Sequence, residues 1–242
     1  MTGTRPAGAS APPTLSVLVP AFNEERTIGR VLQRLLEVDF GVPVEIIAVD
    51  DGSSDGTWSA IQAAASAGVH ALKQDVNQGK GAAIQRALAH ATGSWVVVQD
   101  ADLELDPSEI PRLLAAARER PGSVCYGSRF LASNRQFWLM PTYWANRVLT
   151  LVSNLLNRQR LTDMNTCYKL MPRDVARRLG IESPGFAMEA EITTKLAARG
   201  VPIQEVPVTY RPRAFREGKK IRARDMVRYF RAMLTHRSDR PR

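Results

Sequence analysis

Two aspartates one residue apart, Asp100 and Asp102, are the residues in this sequence best suited to chemistry. They directly follow the run Trp95–Gln99, whose apolar residues are typical of a buried β-strand. A strand that ends in two such carboxylates directs both to the same edge of a sheet. Mg²⁺ and Mn²⁺ prefer oxygen ligands, usually one or two carboxylates together with substrate phosphates. The pair therefore predicts a site for a metal and a diphosphate; the alternative is a turn in which aspartate caps the next helix.

The segments that must position this pair alternate between strand and helix patterns. Apolar strands are predicted at 15–19, 44–49, 70–73, 95–98 and 123–126, and helices at 25–38, 55–67, 79–91 and 107–120. This alternation predicts an α/β fold, a single domain with a mostly parallel sheet flanked by helices, which binds ligands at the carboxyl ends of its strands. Three polar clusters fall at those ends, at 23–24, 50–51 and 100–102.

The composition is that of a globular protein. The 242 residues are 44% hydrophobic and 24% charged. Residues 1–13 are small and proline-rich and lack the apolar stretch of a secretory signal, so we expect a disordered leader and a cytoplasmic location. Residues 14–225 are predicted to form the domain, followed by a basic helix or tail at 226–242. Cys125 and Cys167 lie far apart and are expected to be reduced thiols.

The net charge of +9 comes entirely from the C-terminal region. Residues 211–242 contain 12 basic and 3 acidic side chains, whereas the rest of the chain is balanced. Such a segment suits phosphate or an anionic membrane surface, and the alternative is a solvated, frayed terminus. We favour phosphate binding for 213–220 and fraying beyond Thr235.

A glycine-containing loop, 77–81, precedes the third predicted helix. Its backbone N–H groups and Lys80 are therefore candidates to bind an anion. The glycine spacings of P-loop NTPases and of dinucleotide-binding dehydrogenases are absent, which argues against both classes. The three histidines, His70, His90 and His236, stand beside none of the motifs, which disfavours an acid/base hydrolase.

Motifs in the first half of the chain resemble those of the inverting family 2 glycosyltransferases of the GT-A fold. They occur in the family's order at 19–25, 49–57, 77–81 and 99–104. Motifs in the second half resemble the dolichyl- or polyprenyl-phosphate mannose (or hexose) synthase group, at 127–129, 163–169, 186–191, 205–207 and 213–220. The likeness covers residues 14–225 and implies a nucleotide-sugar-binding sheet.

The resemblance implies roles for the strand-end residues. The nucleotide base and ribose would be bound by Pro20, Phe22, Glu24 and either Asp50 or Asp51, whose alternative role is capping. Asp100, Asp102 and Glu104 would hold Mg²⁺ or Mn²⁺ against the diphosphate. Relatives often carry glutamine at the third of these positions, so the ligand role of Glu104 stays open.

The resemblance also implies an acceptor site. Arg129, Arg213 and Lys220 would bind phosphate, with Lys219 beside them, and a basic loop at 211–221 would close over donor and acceptor. The relatives' serine before the lysine is Lys219 here, which leaves a hydroxyl role there in doubt. Asp163 is placed near the acceptor; the alternative is a cap before Met164.

The segment 137–156 is aromatic and apolar but is interrupted by polar residues and Pro141. It is too polar to span a bilayer and is typical of an interfacial amphipathic segment, with Trp138, Tyr143 and Trp144 at the headgroup level. The alternative is an ordinary helix packed on the sheet. We expect peripheral attachment to the cytoplasmic face of the membrane, directly or through a membrane-anchoring partner.

These features predict an inverting hexosyltransferase that moves mannose or glucose from GDP-mannose or UDP-glucose to a polyprenyl or dolichyl phosphate. The alternative is a family 2 enzyme with a soluble or glycan acceptor. A nucleic-acid-binding module is the competing class that the basic tail permits. The three acidic strand-end clusters argue against it, because they would repel a phosphate backbone, so we expect no nucleic-acid partner.

Overall fold

The computed structural model describes residues 14–132, 141–212 and 223–238. Within these ranges the chain forms one seven-stranded sheet in the order β3-β2-β1-β4-β6-β5-β7. Its strands are β1 Leu15–Ala21, β2 Val44–Asp50, β3 Val69–Lys73, β4 Trp95–Val98, β5 Val124–Ser128, β6 Lys169–Pro172 and β7 Ile203–Pro207. Only β6 is antiparallel to its neighbours, so the carboxyl ends of the other strands meet at one edge.

Helices connect the strands and cover the sheet. They are α1 Ile28–Glu37, α2 Thr57–Ala65, α3 Lys80–His90, α4 Ile110–Glu119, α5 Pro141–Asn157, α6 Arg173–Leu179, α7 Met188–Ala198 and α8 Ala223–Thr235. The first of them buries Ile28, Val31, Leu32 and Leu35, the spacing of a single helix face. These elements confirm the predicted α/β fold with a mostly parallel sheet.

The first strand continues through Pro20 to Ala21, two residues beyond its predicted end. The carbonyl of Leu18 accepts a hydrogen bond from the N–H of Gln99, so Leu18 faces β4. Pro20 faces the same side, but β4 pairs with β1 only as far as Leu18. At Pro20 there is therefore no β4 carbonyl that would need a backbone N–H from β1. The missing N–H of proline costs no hydrogen bond, and the strand continues.

A second, smaller core holds α5, α7 and α8 together beside the sheet. Its buried members are Leu149, Met164, Ala190, Tyr229, Ala232 and Met233. The boundary predicted between 225 and 226 falls inside α8, which packs on α7. The chain is also not frayed immediately beyond Thr235, because His236–Ser238 forms a 3₁₀ turn in which His236 is buried. Residues 236–238 therefore differ from the fraying expected beyond Thr235, because apolar residues of α8 spaced as one helix face anchor the segment before them.

Candidate active site

The polar strand ends converge because β1, β2, β4 and β5 run in the same direction. The chain leaves β2 at Asp50 and β4 just before Asp100, and Arg129 directly follows β5. Residues from four separate stretches of sequence therefore lie along one edge of the sheet.

The two aspartates at the end of β2 have different environments. Asp50 is fully buried; its Oδ1 accepts the Ser53 N–H at 3.0 Å, whereas its Oδ2 has no hydrogen-bond partner among the described residues. Asp51 accepts four hydrogen bonds, from the side chains of Gln74 and Asn77 and from the N–H groups of Gln78 and Gly79. A buried carboxylate oxygen without a donor is costly, so the geometry leaves Asp50 available to a ligand while Asp51 anchors the loop.

Gly52 allows the loop after β2 to approach the loop after β3. It has a φ of +68°, and a Cβ at this position would lie 2.5 Å from the carbonyl carbon of Val76 and 2.6 Å from the N of Asn77. We expect Gly52→Ala to displace the 76–79 loop and to destabilise the fold by about 1 to 3 kcal/mol, as measured by urea unfolding. Gly29→Ala is the matched control, since this helical glycine has open space around it. A Gly52→Ala variant as stable as the control would contradict this.

The backbone donors at the start of α3 are already engaged. The N–H groups of Gly81 and Ala82 donate to the carbonyl of Pro184, at 2.6 and 3.2 Å, and those of Gln78 and Gly79 bind Asp51. The sequence suggested these groups as anion donors, but the anion they meet is the Asp51 carboxylate. The Lys80 side chain is the other group that the sequence suggested at this loop.

Lys80 joins the predicted metal site to a buried ionic network. Its Nζ lies 2.7 Å from Oδ1 and 3.0 Å from Oδ2 of Asp100, and 3.3 Å from Oε1 of Glu189. Burial alone would lower the pKa of Lys80, but the two carboxylates outweigh it and raise that pKa. Lys80 is therefore a permanent cation beside Asp100.

Asp102 and Glu104 lie on the loop that follows β4. The Oδ1 of Asp102 accepts the Glu104 N–H at 3.1 Å, which closes a tight turn in which Leu103 has a φ of +62°. A leucine in this left-handed conformation is strained, and such strain accumulates at functional sites. Glu104 is held from the other side, since the Tyr210 hydroxyl donates to its Oε2 at 3.0 Å.

The carboxylates of Asp100, Asp102 and Glu104 do not form a closed cage. Among the described residues, the group of three that brings its ligand atoms within 4.8 Å of one another is Glu182, Glu191 and His236. The Lys195 ammonium lies 2.7 Å from Glu191 and 3.2 Å from Glu182, so this cluster already contains a cation. The half-buried carboxylates after β4 instead suit a Mg²⁺ or Mn²⁺ ion that takes its remaining ligands from a diphosphate.

Arg129 and Asp163 form a two-pronged buried ion pair. The Nε and Nη2 of Arg129 lie 2.7 and 2.8 Å from the carboxylate oxygens of Asp163, which also accepts the Arg129 N–H. Burial alone would lower the pKa of Arg129, but Asp163 raises it. The Glu205 carboxylate in turn accepts the N–H groups of Thr162 and Asp163. Asp163 thus orients Arg129, and its place near an acceptor stays a prediction.

Comparison with known proteins identifies the family. The sequence matches the family model "Glycosyl transferase family 2" over residues 16–180. The chain belongs to glycosyl transferase family 2. An undecaprenyl-phosphate mannosyltransferase from Micrococcus luteus is 30% identical over 212 residues, which cover 84% of this chain and 85% of that protein. The family predicted from the motifs is confirmed.

Other relatives of this glycosyltransferase are longer than the chain. Glycosyltransferase AglJ of Haloferax volcanii is 27% identical, with 84% of this chain and 64% of that protein covered. A dolichol-phosphate mannosyltransferase from Pyrococcus furiosus is 27% identical, with 90% of this chain and 62% of that protein covered. The chain therefore spans less than two thirds of the length of both.

Solved structures confirm the fold of the transferase. Glucosyl-3-phosphoglycerate synthase from Mycobacterium tuberculosis in complex with UDP has a TM-score of 0.72 at 22% identity, covering 95% of this chain and 82% of that one. The same enzyme with Mn²⁺, UDP-glucose and phosphoglyceric acid has a TM-score of 0.71 at 21% identity, covering 95% and 81%. At this identity the likeness establishes the GT-A architecture alone.

The remaining predicted residues of the transferase lie at different depths. Pro20 is buried inside β1, and Phe22 and Glu24 are half-buried in the turn that precedes α1. This turn is tied to the start of α2, because the Glu24 N–H donates to Oγ1 of Thr57 at 2.8 Å. Arg213, Lys219 and Lys220 lie outside the described residues.

Several residues that build this site have no individual role in the sequence-based prediction. Tyr210 links the Glu104 loop to Arg129, whose guanidinium carbon lies 5.3 Å from the Tyr210 ring centre. Glu189 and Lys169 extend the network inward from Lys80. One feature of the sequence could have indicated them. The residues of α7 are mostly small or apolar, so the charged residues among them are expected to be buried and to need partners.

Proposed function

We propose that this glycosyltransferase moves a hexose, mannose or glucose, from GDP-mannose or UDP-glucose to a polyprenyl phosphate with inversion, using Mg²⁺ or Mn²⁺. The observation that carries the proposal is the contact through Tyr210. It brings the carboxylate loop after β4 and the arginine after β5 together at one edge of the sheet. A metal-bound diphosphate and an anionic acceptor need such neighbouring acidic and basic groups.

The reaction in this proposal is a single displacement. An oxygen of the acceptor phosphate attacks the anomeric carbon as the bond from that carbon to the donor diphosphate breaks, and the electron pair leaves with the nucleoside diphosphate. Asp102, together with Asp100, would hold the cation, which when bound offsets the charge of the leaving diphosphate. Asp50 would accept a hydrogen bond from the base or ribose through Oδ2, the oxygen that has no partner in the described part of the chain.

No general base is needed, because a phosphate monoester is largely ionised at neutral pH. The positions of the histidines agree with this. His70 lies in the edge strand β3, His90 is the last residue of α3, and His236 lies 3.9 Å from Glu191. The contacts described for His90 and His236 are with Arg86 and Glu191, not with the strand-end aspartates.

The relatives support the acceptor class, since two are named for transfer of mannose to undecaprenyl or dolichol phosphate. The structural neighbours are complexes with Mn²⁺ and UDP or UDP-glucose, which supports a divalent cation and a nucleotide-sugar donor. In our proposal Arg129, Arg213 and Lys220 bind acceptor and donor phosphate. The predicted basic loop 211–221 begins directly after Tyr210, and the N–H of Arg211 donates to the carbonyl of Glu104 at 2.8 Å.

We also propose that α5 contacts the membrane surface. Its exposed residues Trp144, Val148, Leu151 and Leu155 have solvent-accessible fractions of 65, 50, 58 and 72%. Their spacing places them on one helix face, while Leu149 on the other side is buried in the second core.

The exposed charged residues near this face, Arg147, Arg158 and Arg160, are basic, which suits anionic headgroups. In the described residues, no helix is long and apolar enough to cross a bilayer.

Polar substitutions on this face test the membrane contact. We expect Leu151→Ser with Leu155→Ser to weaken binding to phosphatidylglycerol-containing vesicles by at least about tenfold, since each leucine contributes roughly 1.5 to 3 kcal/mol when buried. Vesicle sedimentation measures this. Leu36→Ser, an exposed leucine on α1, is the matched control. Equal binding by both variants would remove α5 from the membrane contact.

The proposed activity is tested by incubating the protein with radiolabelled GDP- and UDP-sugars, short polyprenyl phosphate in detergent, and Mn²⁺ or Mg²⁺. We expect a metal-dependent, acid-labile product that extracts into organic solvent. If the donor binds with metal but the label passes only to a soluble acceptor such as a phosphorylated small molecule, the lipid acceptor is wrong and the nucleotide-sugar site is retained.

A further inference from the structure

Glu189 lies between two buried lysines on the inner side of the donor site. It is on α7, and its side chain is 4% exposed. One carboxylate oxygen lies 3.3 Å from the Nζ of Lys80, and the other contacts the Nζ of Lys169. Lys169 also donates to the carbonyls of Met164 and Thr166, and these backbone contacts fix the position of its ammonium group. Glu189 is therefore held firmly, and Lys80 lies between it and the more exposed Asp100.

We infer that Glu189 is a positioning residue that shares the Lys80 ammonium with Asp100 and so keeps Asp100 able to bind a divalent cation. The inference rests on the proposed function only in placing that cation beside Asp100. It assigns Glu189 no contact with substrate.

Glu189 acts on Asp100 electrostatically, through Lys80. Both oxygens of Asp100 are within 3.0 Å of Lys80, so a metal ion that approaches Asp100 must compete with an ammonium. If Asp100 were the sole partner of Lys80, a competing metal would leave a buried ammonium unpaired, which is costly. Because Glu189 already contacts Lys80, the lysine keeps a partner when its hold on Asp100 loosens. Glu189 thereby lowers the cost of metal binding.

Binding of Mn²⁺ alone, measured by electron paramagnetic resonance of the free ion, tests the inference without any enzymatic turnover. We expect Glu189→Gln to weaken Mn²⁺ binding on the order of tenfold, the usual size of an effect transmitted through a neighbour of a metal ligand. Lys80→Met should bind Mn²⁺ at least as tightly as the parent chain. In the double variant, Glu189→Gln should add little, because its effect passes through Lys80.

Two further variants separate positioning from simple loss of stability. Glu189→Gln combined with Lys169→Met removes both deep charges and should show the same weakened Mn²⁺ binding even if Glu189→Gln alone folds poorly. Glu45→Gln is the matched control: Glu45 accepts hydrogen bonds from Ser16, Thr92 and Gly93 at the opposite end of the strands. It should lower the unfolding temperature and leave Mn²⁺ binding unchanged.

Two results would overturn the inference and leave Glu189 a structural residue. One is an unchanged Mn²⁺ affinity both in Glu189→Gln and in Glu189→Gln combined with Lys169→Met. The other is that the effects of Glu189→Gln and Lys80→Met on Mn²⁺ affinity are additive. A parent chain that binds no Mn²⁺ would overturn it together with the proposed metal dependence. If the expected pattern is found but no sugar is transferred to any tested acceptor, only the proposed activity fails.

Discussion

Replacing Asp102 by asparagine is expected to reduce metal-dependent sugar transfer on the order of a thousandfold, because several kcal/mol of charge stabilisation on the leaving diphosphate depend on the cation. Asparagine keeps an oxygen that accepts the Glu104 N–H, so the turn with the strained Leu103 should persist. Initial rates over a range of Mn²⁺ concentrations measure the effect. The fold should be intact by circular dichroism.

Asp106→Asn is the matched control for Asp102. Asp106 lies four residues further along the same loop and accepts the N–H and hydroxyl of Ser108 at 3.1 and 2.9 Å. Its substitution should change the transfer rate less than about threefold, the scale of a surface change worth roughly 0.5 kcal/mol. If Asp102→Asn retained full activity at every metal concentration, the metal site would have to be sought elsewhere.

Replacing Asp163 by asparagine is expected to cost about 3 to 5 kcal/mol of folding stability, because it leaves a buried guanidinium without its counter-charge. The side chain of Arg129 is only 12% exposed, and that of Asp163 is fully buried. Urea unfolding measures the loss. We also expect the transfer rate to fall at protein concentrations and temperatures where the variant is folded, because the orientation of Arg129 depends on this pair.

Asp174→Asn provides the comparison for Asp163. Asp174 pairs with Arg178 at 2.6 Å, but both side chains are largely exposed, so the loss should stay below about 1 kcal/mol. Combining Asp163→Asn with Arg129→Gln should recover part of the stability, since no buried charge is left alone. Recovered stability without recovered activity would assign Arg129 a role in the reaction; equal losses for Asp163→Asn and Asp174→Asn would show that the buried pair contributes no more than a surface one.

Much of the site was predictable from local sequence because local patterns position it. Each strand before a polar cluster is mostly apolar, and parallel strands bring their carboxyl ends together whatever the details of packing. The placement of Asp50, Asp100 and Arg129 at one edge follows from that rule and from the direction of the chain.

The distinction between Asp50 and Asp51 was not predictable from sequence. Adjacent residues of a strand point in opposite directions, but which of them meets a ligand depends on the loop that arrives from residues 74–79. The anion-binding interpretation of α3 failed for a related reason. Its first N–H groups are satisfied by Asp51 and by the carbonyl of Pro184, a residue about a hundred positions further along the chain.

The sequence alone determined the α/β fold, the family and the edge of the sheet where the chemistry is placed, because hydrophobic periodicity and short motifs are local properties of the chain. Only the tertiary structure decided the ion pairs, in which Lys80 joins Asp100 to Glu189 and Arg129 faces Asp163. A buried charge is stable only beside its partner, and here the partners lie 20 to 109 residues apart in sequence. Which charges meet is therefore set by the packing of α3, α7 and the sheet.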